Sequence, residues 1–371
     1  MARKLFQFVI LACMLLGLPL LGISLINTPI TPYLSFPPET VHRPCAPFSW
    51  PVFAGYGFFV LAVIAPFLVQ GLKRRAHIAK RLQPGFPFPW WGWFGVLLGA
   101  AAWIMAWNRF SWFDIFQPHT FTPLWVAYII TVSAMTYRRT GHCFLVESPV
   151  RFLLLFPLSA VFWWFFEFLN RFVHNWYYVG KQFGALEYFL FATLPFSTVL
   201  PAVTATREWL YSFSWPHRSF QHFFPIRWSH PNRLAWPILL IAGAGLTGIG
   251  IWTDLLFPLL WISPLLIFVT LQALTNDPHI FADLSRGDWR RLVCSALAAL
   301  MCGFFWEMWN FYSLAQWKYS VPYVHRFPIF EMPILGYAGY IPFGLECAVI
   351  SEWFLLPRMS SFDLEEDVVL V

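Results

Sequence analysis

Ten stretches of this chain are long enough to cross a lipid bilayer and nearly free of charge: 5–25, 51–72, 89–107, 121–137, 150–170, 185–205, 235–253, 257–275, 292–312 and 333–356. A hydrocarbon core about 30 Å thick takes roughly 17–25 apolar residues in a helix. No water is present there to pair with the backbone, so each stretch must close its own hydrogen bonds as a helix. Charged residues are 11% of the chain and hydrophobic residues 58%, whereas a soluble domain holds about 25% charged residues. The expected fold is an all-α integral membrane protein of about ten transmembrane helices.

Loop charges orient the helices. With the N-terminus inside, only Arg43, Arg109, Arg171, Lys181, Lys318 and Arg326 fall outside, leaving 18 of the 24 Lys and Arg on the inner side. The positive-inside rule expects such a split. It predicts the cell inner (cytoplasmic) membrane as the location, with both termini cytoplasmic. The net charge of +6 follows from this bias, so nucleic acid is not an expected partner; membrane lipid is. Arg3 and Lys4 precede an apolar core as in a signal peptide, but no small-x-small cleavage site follows, and a retained anchor is expected. The six cysteines are scattered, which indicates neither a disulfide framework nor a thiolate metal site.

A polar skeleton recurs along this apolar chain. Asp114, Glu167 and Asn170 are answered in the same order, at one constant offset, by Asp254, Glu307 and Asn310. Glu187 and Glu208 are answered, at a second and slightly longer offset, by Glu331 and Glu352. Neighbours match too: Phe166-Glu167 answers Trp306-Glu307, Trp176-Tyr-Tyr178 answers Trp317-Lys-Tyr319, and Glu208-Trp209 answers Glu352-Trp353. The reading is a tandem duplication. Residues 1–87 form a two-helix unit, 88–210 repeat A, 211–231 a cytoplasmic linker, 232–356 repeat B and 357–371 an acidic cytoplasmic tail. Four helices per repeat place both in parallel orientation, related by a twofold axis along the membrane normal. Pro195 and Pro201 interrupt the sixth helix, and Gly336, Gly339, Pro342 and Gly344 the tenth. Matching breaks point to a site between the halves, although Pro and Gly are also frequent in membrane helices.

The recurring acids are the candidate site. Asp114, Glu167 and Glu187, with Asp254, Glu307 and Glu331, are expected to gather with Asn170 and Asn310 near the outer leaflet. An ionisable group inside a span costs about 2.5–3.5 kcal/mol, so it marks function by default. Carboxylic acids in an apolar site can divide the roles of proton donor and acceptor. Clustered carboxylates and an amide oxygen also suit a divalent cation such as Ca²⁺, Mg²⁺ or Mn²⁺, and His174 or His325 could join it. Glu and Asn could equally pin helices by hydrogen bonds. Trp163, Trp164, Phe165 and Phe166 either wall a cavity for a long apolar or polyene substrate or face lipid.

The elements Phe166-Glu167, Trp176-Tyr-Tyr178 and Leu186-Glu187-Tyr-Phe-Leu-Phe191, with Trp306-Glu307, Trp317-Lys-Tyr319 and Phe330-Glu331, resemble the small membrane lycopene cyclase domain of subunit or tandem-repeat type. That resemblance implies carbocation cyclisation by two acids without net redox change, with Glu187 and Glu331 matching the family's Glu-Glu motif. The second Glu of that motif is Tyr188 in one repeat and Met332 in the other, and each repeat holds four helices against the family's three. The expected function is a membrane-embedded enzyme acting on a lipid or isoprenoid, with Glu167, Glu187, Glu307 and Glu331 catalytic. Asn170, Asn310, Trp176, Trp317, Asp114 and Asp254 are the expected substrate-binding residues. A cation or proton carrier using the same acids, with a path to Glu346, Glu208 and Glu352, and a non-catalytic subunit of a larger assembly are the alternatives.

Overall fold

The computed structural model of this chain describes residues 2–38, 42–75, 85–180, 183–229 and 231–355. Lys181, the basic loop around Arg81 and the acidic tail 357–371 lie outside the described residues. The main helices are α1 (Ala2–Leu25), α2 (Trp50–Arg75), α3 (Trp90–Trp107), α4 (Phe121–Thr140), α5 (Pro149–Val173), α6 (Ala185–Phe196), α7 (Val199–Tyr211), α8 (Pro231–Gly248), α9 (Ser263–Leu274), α10 (Arg290–Phe311) and α11 (Tyr340–Phe354). Four short strands complete the fold: β1 (Trp176–Val179), β2 (Gln316–Tyr319), β3 (Pro328–Ile329) and β4 (Met332–Pro333).

Helix stands at all ten expected positions, yet only seven described helices are long and apolar enough to cross a membrane. An eighth follows if the pair Thr253–Leu260 and Ser263–Leu274, bent by 50°, is one span. The expected count of ten is therefore larger than the structure supports on length and apolarity. Helix α4 is outside the seven because Ser133, Thr136, Arg138 and Arg139 dilute its apolar face. Helix α8 opens on Pro231-Asn232-Arg233 and is rich in glycine.

The core lies where α5, α7, α10 and α11 meet, with α3 packed on α4 and α8 on α9. Phe343 of α11 is its hub, 1% exposed. It meets Trp163, Phe166, Trp261 and Trp306 edge-on at centroid distances of 5.5–6.1 Å, the arrangement that ring quadrupoles favour. Helices α10 and α11 pack tightly at Gly344. A Cβ there would stand 2.2 Å from the Ser295 carbonyl oxygen, so only glycine lets the two backbones approach this far.

Both interrupted helices are interrupted as the sequence suggests. The sixth parts between α6 and α7 just after Pro195, whose nitrogen carries no proton for the helix ladder. The Ser159 hydroxyl bridges the gap, donating to the Phe196 carbonyl at 2.6 Å and accepting from the Leu200 amide at 3.0 Å. Pro201 falls in the first turn of α7, where a missing N–H is harmless. The tenth begins as a 3₁₀ turn, Ile334–Gly339, before α11.

Because the atom in the way at Gly344 belongs to backbone, it cannot swing aside. Gly344→Ala should lower stability by about 1–3 kcal/mol, the usual cost of overpacking, read as a lower Tm in detergent. An unchanged Tm would mean that α10 and α11 do not touch there.

Candidate active site

Asn170 stands in the last turn of α5, and its side chain holds the returning chain over the helix end. Its amide nitrogen donates to the Trp176 carbonyl at 2.8 Å, and its oxygen accepts from the Asn175 and Trp176 amides at 2.8 and 3.3 Å. Asn310 does the same at the end of α10, with its nitrogen on the Trp317 carbonyl at 2.8 Å and its oxygen accepting from the Trp317 amide at 2.9 Å. An Asn amide offers both a donor and an acceptor, so one residue fastens a strand at both backbone groups.

The two strands so fastened pair with each other. β1 and β2 are antiparallel, with Trp176 opposite Tyr319, Tyr177 opposite Lys318 and Tyr178 opposite Trp317. This is the register in which equivalent residues would meet about a twofold axis through Tyr177 and Lys318. Side chains alternate along a strand, so Trp176, Tyr178, Trp317 and Tyr319 share one face of the ribbon.

That face carries the donors for two buried glutamates. Glu167, 3% exposed, accepts from Trp163 Nε1 at 3.1 Å, from Trp176 Nε1 at 3.0 Å and from the Tyr178 hydroxyl, all on Oε1. Glu307, 0% exposed, accepts from the hydroxyls of Tyr319 at 2.6 Å and Tyr340 at 2.9 Å, again on Oε1. Its Oε2 is enclosed and unpartnered. The surroundings of the two glutamates differ by a complementary exchange. Trp163 stands four residues before Glu167 in α5, and Gly303 holds the equivalent place before Glu307 in α10. The Tyr340 ring occupies the space this leaves, 2.4 Å from where a Cβ would be. Tyr340 answers Phe196 at the offset that relates Glu187 to Glu331, so the two aligned substitutions together replace an indole donor by a phenol.

The aromatic donors separate the glutamates from a cavity of about 990 Å³. Trp163, Trp176, Tyr178, Trp317, Tyr319 and Tyr340 wall it, together with Trp261, Trp306 and residues Tyr56 to Ile64 of α2, while Glu167 and Glu307 lie behind them. Burial and then the neighbouring glutamate hold the Tyr178 and Tyr319 hydroxyls well above the ordinary phenol value. They keep their protons and donate. His174, which caps α5 in the left-handed region at φ 50°, is held down at about 4 by burial and then by Arg43, so it is neutral.

The other sequence candidates stand elsewhere. Glu187 is exposed and bonds the Gly184 amide at the start of α6, as a helix cap. Glu331 pairs with Lys318 at 3.1 Å on the far face of β2. Asp114 is exposed and Asp254 half-buried, and neither walls the cavity. Asn170 and Asn310 hold backbone and do not wall it, whereas Trp176 and Trp317 do. Of the six carboxylates expected to gather, only Glu167 and Glu307 are buried behind the cavity wall, while Glu187 is engaged as a cap and Glu331 in an ion pair. Among the described residues no three His, Cys, Asp or Glu side chains come together to hold a metal ion, so the expected divalent-cation cluster has no ligand set among them.

Deeper in the bundle, Glu346 Oε1 accepts from the Leu265 amide at 3.0 Å and so caps α9. Glu208 accepts from the Phe144 amide at 2.7 Å. Glu352 binds Arg207 at 2.8 Å and also Arg291. None of the three walls the cavity. No family model, curated protein or solved structure matches the chain.

Asn310→Ala leaves a buried strand amide and carbonyl unpaired, at about 1–3 kcal/mol each. We expect a lower Tm together with faster amide exchange at Trp317 and Tyr319. Exchange at the far end of α10 should not change; a uniform rise along the chain would mean that Asn310 does not act on the strand.

Proposed function

We propose that this protein is a membrane-embedded enzyme that rearranges an apolar lipid or isoprenoid by carboxylic acid–base chemistry, with Glu167 and Glu307 as its acids. The observation that carries the reading is that both buried glutamates hold tyrosine hydroxyls whose rings line one apolar cavity. A hydroxyl between a carboxylate and a substrate can relay a proton. Tyr178 accepts a proton from a substrate C–H as its own passes to Glu167. On the other side, a protonated Glu307 passes a proton outward through Tyr319 or Tyr340 with its hydroxyl turned to the cavity.

In the reaction class this suits, a substrate C=C takes that proton, its π pair forming the new C–H bond and leaving a carbocation. Ring closure or a shift moves the cation, and loss of a neighbouring proton toward Glu167 restores a C=C. One proton enters and one leaves, so composition is unchanged. The rings of Trp163, Trp261 and Trp306 offer the cation–π stabilisation such an intermediate needs. The resemblance to the lycopene cyclase domain agrees in reaction type, but the proposed acids are Glu167 and Glu307 in place of Glu187 and Glu331. The carrier reading is weaker, because Glu346, Glu208 and Glu352 are engaged as caps and ion-pair partners away from the cavity.

The proposal includes a tandem duplication of a four-helix unit, ten spans in all, with both termini on the cytoplasmic side of the inner membrane. The recurrent Asn–strand–Glu arrangement and the register of β1 with β2 support it. In a cysteine-free background, an impermeant thiol reagent added outside should modify Lys318→Cys and spare Arg286→Cys. The reverse pattern would invert the orientation.

Lipid extracts of a host expressing the protein should contain a species of unchanged mass and altered retention that the host alone lacks. Glu167→Gln and Glu307→Gln keep shape while removing the transferable proton. Each should lower its yield about 10²–10⁴-fold with Tm unchanged, and Glu187→Gln should not. Full yield from both variants would defeat the acid–base reading.

A further inference from the structure

The cavity is enclosed unevenly. Trp163 and Trp306 of its wall belong to the packed helices α5 and α10, and Asn170 and Asn310 fasten the ribbon of β1 and β2. The side carrying Tyr56, Phe59, Val60, Val63 and Ile64 is α2, and no described residue of that helix is buried. Its less exposed residues, among them Phe53, Tyr56, Val60, Ile64, Phe67 and Gln70, recur every three or four positions and so form one stripe. Off the stripe, Phe58, Leu61 and Leu72 are exposed. A helix apolar on every side and long enough to span a membrane has lipid as its outer neighbour. On this side a single helix therefore separates the cavity from the bilayer.

Helix α2 is gripped near both ends. At the first, the Ser49 amide donates to the Tyr323 carbonyl at 2.9 Å and the Tyr323 amide to the Ala46 carbonyl at 3.2 Å. Phe53 meets the Phe327 ring there, and Gly57 lies beside Leu335. At the second, Phe67 packs on the rings of Phe220, Phe223 and Trp289, and the Gln70 side-chain amide donates to the Ser219 carbonyl at 2.9 Å. Between the grips the stripe presents Tyr56, Val60 and Ile64 to the cavity, so open space replaces the packing that would hold the helix. The first grip includes backbone bonds, whereas the second rests on side chains. Pro66 precedes the second grip; it has no N–H for the Ala62 carbonyl, so the helix bends most easily between the wall segment and Phe67. Elements with few buried apolar contacts are the ones that open at least cost.

We propose that the cavity exchanges its occupant sideways with the bilayer past α2, which leans away about its first grip when the second releases. The occupant is then a molecule dissolved in lipid, apolar enough to pass between apolar side chains. This rests on the cavity being the substrate site and adds the route by which the substrate arrives.

The test uses the purified full-length protein in lipid nanodiscs, with a long-chain alkyl diazirine added from vesicles and flashed at successive times. Peptide mapping then reads the label on Trp163 and Trp306 of the wall, with Leu240 and Ile241, exposed on α8, as the lipid-facing control. Gln70→Ala should speed labelling of the wall roughly three- to tenfold, the scale of one lost hydrogen bond, and leave its final extent and the control unchanged. In a cysteine-free background, Phe67→Cys and Phe223→Cys joined by a short reducible bis-maleimide should nearly abolish labelling of the wall, and reduction should restore it. Should that pair fail to fold, Gln70→Ala decides alone. A wall labelled at one rate in the free, locked and Gln70→Ala proteins overturns the route past α2 and leaves the acid site standing. A wall labelled in none of them, while Leu240 and Ile241 are, overturns both.

Discussion

A carboxylate enclosed in an apolar bundle persists only where donors surround it, and much of this structure serves to supply them. Removing an ion from water costs several kcal/mol even after relaxation, while each hydrogen bond to a charged group returns about 1.5–3 kcal/mol. Glu167 and Glu307 are too deep for water to do this, and their own helices offer few donors. The donors come from β1 and β2, which the Asn170 and Asn310 side chains hold over the helix ends. Pairing of the strands then places four aromatic side chains on one face. Asparagine, strand and glutamate form one unit, and the cavity is the space that the donors leave between them.

The two halves meet the same requirement with different residues. Trp163 donates to Glu167 from the same helix, whereas Gly303 leaves room for Tyr340 to reach Glu307 from α11. The result is asymmetric: three donors converge on Glu167, and Glu307 keeps an unpartnered oxygen. Two acids of one type thereby acquire different surroundings, the condition under which a pair can divide proton donation from proton acceptance. Elsewhere in the bundle Glu346 and Glu208 cap neighbouring helices and Glu352 joins two arginines. Burial of a carboxylate in this protein therefore has two distinct uses, and only one of them adjoins a cavity.

Part of the site was legible from residues alone. Recurrence singled out Glu167, Glu307, Asn170 and Asn310, and the Trp-x-Tyr pattern beside them contained four of the wall residues. Recurrence could not separate a cap or an ion-pair partner from a glutamate held by the wall tyrosines, since Glu187 and Glu331 recur equally well and bond the Gly184 amide and Lys318 instead. Tyr340 escaped notice because its function is written in two places, as a glycine at 303 and a tyrosine at 340, and neither is unusual alone. The count of spans was least legible at α4 and α8, where polar residues and glycine blur the boundary between a membrane helix and a packed one.

What the sequence by itself determined is the class of molecule: apolar runs of bilayer length admit only helices, because hydrocarbon offers the backbone no other partner. It determined also which acids and amides recur, and that the sixth and tenth helices break. Which of those acids belong together was decided by tertiary structure alone. A carboxylate's role depends on the donors that reach it, and these arrive from strands and helices distant in sequence, in a register set by pairing and packing that no local pattern encodes. The cavity is likewise a tertiary property, since the aromatic walls that enclose it come from both halves and from α2.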